Sequence, residues 1–266
     1  MFFFESIFVL LKRHSISFFH SYSLYIVSSH FKKNSGLYKG GSIFCSVKNI
    51  EIDDCEFIEN FCQGDFYEEG QVHQGGSIHV SKTTSLTLTK CNFTINHAST
   101  GGGAVFIDHN SDSINVKVSD CFFINCSASF ADGAVLLTDG IWEINDCYFQ
   151  DCRASSGGAV FCQNSAKSDT NMTNCIFDHC SGYEGGFVYC TAGRIILGKS
   201  VFENNLDDFI FEGNGSSPYP NATLQRVHFT HSFILLSIDD KQHDLSFPTA
   251  CLKTSKKTTF LIFRMC

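Results

Sequence analysis

Apolar and polar positions along this chain fall into one pattern that returns every 25 to 36 residues. With Phe123 as origin, apolar residues stand seven and five places earlier (Val116, Val118) and a cysteine two places earlier (Cys121). Cys126 lies three later, the small Ala128 five later, and a Gly-Ala-Val run follows at 133–135. The origin recurs at Phe31, Phe57, Phe93, Phe149, Phe177, Phe202 and Phe229. The column two before it reads Ser29, Cys55, Cys91, Cys121, Cys147, Cys175, Ser200, Val227. The column three after it reads Asn34, Asn60, Asn96, Cys126, Cys152, Cys180, Asn205, Ser232. Copies that hold several columns in phase mark a repeat architecture.

Inside each copy the apolar pair alternates with period two, and so does Cys-x-Phe. The phase slips by one residue across a polar dipeptide such as Thr89-Lys90, Ser119-Asp120 or Asn145-Asp146. This predicts two short strands, each with one buried face, meeting at a sharp corner. A second corner falls at Phe-x-x-Asn/Cys. A third strand opens on Gly40-Gly41-Ser42-Ile43, Gly75-Gly76-Ser77-Ile78, Gly102-Gly103-Ala104-Val105 and Gly157-Gly158-Ala159-Val160, where glycine supplies turn geometry.

Three strands per coil, stacked so that each coil covers its neighbour's inward face, make an all-β, single-stranded parallel β-helix. About eight coils are expected over 24–232, right-handed by the general preference of crossovers. The Leu-x-x-Leu-x-Leu pattern of a leucine-rich repeat is absent. Equivalent residues should form ladders about 4.8 Å apart, giving a rod on the order of 35 to 40 Å long. Corner asparagines should bond the asparagine of the next coil and the turn backbone.

Residues 1–23 read as a partial coil, a cap or a poor signal sequence, because Glu5 interrupts the apolar run and Lys12 and Arg13 follow rather than precede it. FCQGDFYEEGQVH (61–73) should protrude as a loop, and so should Gly213–Pro220. Residues 233–266 form a cap and tail. The tail's apolar run is too short to span a bilayer, so membrane association rests on no convincing transmembrane helix.

Composition narrows the chemistry. Charged residues are only 17%, phenylalanines number 28, and the net charge is −8. Nucleic-acid partners are excluded on that balance, since they call for a basic face. No cofactor fingerprint is present. The fourteen cysteines concentrate in the columns already described, which favours thiols as small buried hydrophobes; cross-coil disulfides are the alternative. The recurring C-x4-C is not a zinc knuckle.

The motifs Phe57-Ile-Glu-Asn60, Phe93-Thr-Ile-Asn96 and Phe202-Glu-Asn-Asn205, with Gly-Gly-Ala-Val at 102–105 and 157–160, resemble the FxxN and GGA[ILV] repeats of polymorphic membrane proteins. These are chlamydial surface adhesins, with similar repeats in surface proteins of trichomonads. The resemblance covers Leu24 to Ser232. It implies the same β-helix, display at a cell surface or secretion, and adhesion to a host or matrix protein or a glycan. Two features depart from the pattern: no outer-membrane barrel follows the repeats, and several Asn positions are Cys.

Candidate sites are few. The third strand's outward position carries Phe44, His79, Phe106, Leu136, Phe161 and Tyr189, an apolar stripe that is either a contact site or a covered or inward-facing ladder. Asn92, Asn125, Asn171, Asn214 and Asn221 stand in glycosylation sequons, the last two in an expected loop. Corner carboxylates Asp54, Asp120 and Asp146 suit a polysaccharide-cleaving site, but corner aspartate is also ordinary turn chemistry. Three readings follow: a non-enzymatic adhesion module, a carbohydrate-active β-helix enzyme, and a structural or degenerate fragment of a longer repeat protein.

Overall fold

The computed structural model describes residues 23–63, 73–108, 114–129, 133–138, 140–162, 168–184, 186–190 and 193–204. It also places the backbones of seven further strands, Ser6–Val9, Ile16–Phe19, Phe209–Glu212, Asn221–Gln225, His228–Thr230, Ile234–Ile238 and Thr259–Phe263. Among the described residues every regular element is a strand. The strands stack in register into sheets of nine, ten, eight and six members, parallel throughout except for the last pair of the ten-membered sheet, a β-solenoid.

Each turn has four sides rather than the three expected. In one turn these are a long strand (Ser85–Thr89), the phenylalanine strand (Asn92–Thr94), a two-residue strand (His97–Ala98) and the strand after the glycines (Val105–Asp108). The additional side lies between the Asn/Cys corner and the glycine turn, where the small inward residue Ala98 or Ala128 leaves room for the chain to close. Among the described residues the sheet of these short strands, two to four residues long, has six members, so six turns carry all four sides, against the eight coils expected.

The corners explain the phase slip. Ser28, Asp54, Lys90, Asp120, Asp146, Asn174 and Lys199 all adopt φ between 44° and 59°. At the second corner Lys33, Glu59, Ile95, Asn125, Asp151, His179 and Asn204 lie between 51° and 56°. One left-handed residue turns the chain sharply and shifts the in/out alternation by one place. The polar residues in both columns reflect this, since Asn and Asp tolerate that conformation best. At the third turn the glycines divide two tasks. Gly75 holds φ +73°, while a Cβ on Gly76 would stand 2.0 Å from the carbonyl oxygen of Gly103 in the next turn.

The core is a set of ladders. Rings from Phe31 to Phe202 stack with centroids 4.7–4.9 Å apart and planes within 5°, the strand spacing imposed on an aromatic column. The asparagine ladder forms as expected: Asn60 Nδ2 donates to Asn96 Oδ1 (3.1 Å) and to the Phe31 carbonyl (2.9 Å). Where cysteine replaces asparagine, the thiol takes over the second bond, Cys126 Sγ to Phe93 O at 3.5 Å and Cys152 Sγ to Phe123 O at 3.4 Å.

The other cysteine column behaves likewise. Cys121 Sγ donates toward Ser119 O (3.2 Å) and Leu88 O (3.7 Å). Ser29 and Ser200, one turn beyond either end, make the equivalent bond to the carbonyl two residues back. The column therefore selects a small group that can donate at the corner, as well as filling space. All twelve described cysteines are buried, and none of them is in a disulfide. Burial pushes the Cys45 and Cys62 thiols up to about 12. Within the column, hydrogen bonds to neighbouring thiols and then burial push Cys55 and Cys175 up, while the same bonds favour ionisation at Cys91 and Cys147, each flanked by two thiols.

The terminal segments join these sheets. Ser6–Val9 pairs with Ser23–Ile26 and Ile16–Phe19 with Ile43–Ser46. Phe209–Glu212 continues the glycine-side sheet although its glycines are lost. At the far end Ile234–Ile238 pairs antiparallel with Thr259–Phe263, so the tail's apolar run supplies a terminal strand. Most of the 61–73 insertion and all of Gly213–Pro220 lie outside the described residues.

Candidate functional site

The glycine-side stripe forms a continuous outward ladder. His79 pairs in register with Phe44 and Phe106, Phe106 with Leu136, Leu136 with Phe161, and Phe161 with Tyr189. Its side chains lie outside the main core cluster, which takes Ile78 and Val80 instead. The stripe is nevertheless not an open apolar face. His79, Phe106, Leu136 and Tyr189 are buried, and only Phe44 and Phe161 are partly exposed. Both nitrogens of His79 are buried without a hydrogen-bond partner. Its ring stacks on Phe106 at 4.9 Å and meets Phe44 edge-on at 5.3 Å. Burial, then the Lys39 charge, pushes its pKa down to about 3, with the Gln74 backbone acting weakly in the other direction.

An open stripe lies instead on the phenylalanine side, one residue before each core phenylalanine. Its early members are polar, His30, Glu56 and Asn92. From Phe122 onward the register partners are Tyr148, Ile176 and Val201. Phe122 is 48% exposed and Ile176 37%, with Tyr148 and Val201 half-buried. Phe122 and Tyr148 meet edge to face at 6.2 Å. The sequence reading missed this stripe, although its signal was present as the change in that column from His, Glu and Asn to Phe, Tyr, Ile and Val.

Carboxylates border the stripe on the corner side. Asp178 is buried and accepts from the Tyr148 hydroxyl (3.3 Å) and Asn204 Nδ2 (3.1 Å), and it pairs with His179 Nδ1 at 2.6 Å. Asp151 and Glu203 stand on the flanking turns. Burial and then these carboxylates push the Tyr148 phenol up. The earlier turns differ, because there His30 pairs with Glu56 and Lys33 with Glu59.

Two of the three corner aspartates are engaged locally. Asp54 accepts from the Ser28 hydroxyl at 3.0 Å, and Asp146 accepts from Asn174. Among the described residues no group of three or more His, Cys, Asp or Glu is placed to hold a metal ion. Asn92, Asn125 and Asn171 are exposed; Asn92 is the register partner of Phe122, and Asn171 accepts from Thr173 of its own sequon at 3.1 Å. Asn221 opens a strand paired with Arg194 rather than lying in a loop, and Asn214 lies outside the described residues. Among the described residues no helix is long and apolar enough to cross a membrane.

No protein-family model matches this chain, and neither a curated protein nor a solved structure matches it significantly.

Proposed function

We propose that this chain is a non-enzymatic interaction module of a surface or secreted repeat protein, acting in adhesion to a host or matrix protein or a glycan. The observation that carries this reading is the exposed Phe122–Tyr148–Ile176–Val201 stripe, held at fixed spacing on a stacked-ladder scaffold. Contiguous apolar side chains exposed on a folded surface usually serve contact, and a solenoid presents them along an extended face. The resemblance of the FxxN and GGA[ILV] motifs to polymorphic membrane proteins points the same way. Against catalysis stand the corner aspartates, whose column also contains Lys90, Asn174 and Lys199 and of which Asp54 and Asp146 are held by neighbouring side chains.

The test is binding of the purified chain to immobilised extracellular-matrix proteins and to a glycan array, beside a Phe122→Ser/Ile176→Thr variant. Saturable binding lost in the variant, with an unchanged melting curve, supports the reading. Binding that the variant retains, or turnover of an acidic polysaccharide abolished by Asp120→Asn or Asp146→Asn, overturns it.

A further inference from the structure

The open stripe also specifies the kind of partner that would fit it, an inference that rests on the interaction reading above. Two properties matter, spacing and charge. The stripe offers one apolar side chain per turn at the repeat of the ladders, 4.7–4.9 Å. Its four members therefore span about 14 Å. An extended strand laid along the rod presents a same-face side chain every ~6.7 Å, so four of them span about 20 Å and fall out of step. An α-helix presents one per turn at about 5.4 Å, so four span about 16 Å, and each can stay over its own coil.

The charge is one-sided. Asp151, Asp178 and Glu203 border the stripe. Among the described residues the only basic side chain paired with any of these three is His179, on Asp178. In the earlier turns Lys33 pairs with Glu59, at the position equivalent to Asp151, and His30 pairs with Glu56. The whole chain carries a net charge of −8, which disfavours a second copy as the occupant through like-charge repulsion.

We propose that the stripe from Phe122 to Val201 docks a cationic amphipathic helix, one that lays leucine-like residues along the stripe and places lysine or arginine over the Asp151–Glu203 edge. Helix-in-groove recognition by anchors at i, i+4, i+7 and i+11 is the corresponding binding mode.

The probe is a synthetic 16-residue helix with leucine at those four positions and lysine beside them. It is compared with a scramble of the same composition and a version with glutamate for lysine, by fluorescence anisotropy at low and moderate salt. The expected result is binding of the lysine helix alone. Phe122→Ser and Ile176→Thr should each weaken it at least ten-fold, and Asp151→Asn/Glu203→Gln should flatten its salt dependence. Both sets alter partly or fully exposed side chains, and an unchanged melting curve verifies folding. Equal binding of the scramble, or equal binding by Phe122→Ser, overturns the proposal. If matrix or glycan binding needs Phe122 while the lysine helix does not bind, the partner is wrong and the interaction reading stands; if neither ligand binds through Phe122, both fail.

Discussion

Replacing His79 by phenylalanine should remove an acid-sensitive weak point and leave the fold otherwise unchanged. The imidazole is buried between Phe44 and Phe106 with neither nitrogen bonded, and its pKa falls from 6.5 to about 3. Between those values the unfolded chain binds a proton that the folded chain does not, so stability drops as pH falls through the window. Each pH unit is worth about 1.4 kcal/mol, so His79 alone should remove about 2 kcal/mol between pH 7.5 and pH 5. Phenylalanine continues the aromatic ladder without a titrating group. It also eliminates two orphaned polar atoms, a defect that costs about 1–3 kcal/mol. Urea unfolding of both proteins at pH 7.5 and pH 5 reads the difference, and every other titrating group cancels in the comparison. The variant should match or exceed the wild type at pH 7.5 and lose about 2 kcal/mol less at pH 5. An equal loss on acidification would show that His79 is solvated, and the argument from burial would fail.

Three further outcomes follow from the ladders. Ile95 is β-branched, 44% exposed and held at φ 55°; Ile95→Asn should raise stability by about 1 kcal/mol, the cost of the left-handed conformation for such a residue, measured by thermal melting. Gly76→Ala drives a Cβ to 2.0 Å from Gly103 O, so it should reduce the yield of folded protein far more than alanine at the exposed corner residue Lys90, as circular dichroism would show. Cys147→Ser keeps a donor to Asn145 O and Val118 O and should cost under ~1.5 kcal/mol. Cys147→Val adds bulk and leaves both carbonyls without that donor, so it should cost about 1–3 kcal/mol in chemical denaturation.

Much of this architecture was legible because ladders impose one residue type on one column. The Phe, Cys and Asn columns, the paired glycines and the polar corners each correspond to a single geometric demand, and each could be read from spacing alone. The fourth side escaped because two residues are too few to show alternation; His97–Ala98 resembles a loop until its partners are seen. The glycine-side stripe could be read as a column but its burial could not, because its side chains meet one another only once the turns stack, as His79 does with Phe44 and Phe106. The open stripe carries one apolar residue per coil beside a far stronger phenylalanine signal, so Tyr148 and Ile176 read as spacers. At Asp178 only stacking brings in Tyr148 and Asn204 from the neighbouring turns.

The central claim is that contact runs through the phenylalanine side and not the glycine side. The direct measurement places a photo-crosslinking phenylalanine analogue at position 122 in one protein and at position 161 in another, each irradiated with a matrix protein that the wild-type chain binds. The account expects covalent capture from position 122 and none from position 161. Capture from position 161 alone would contradict it.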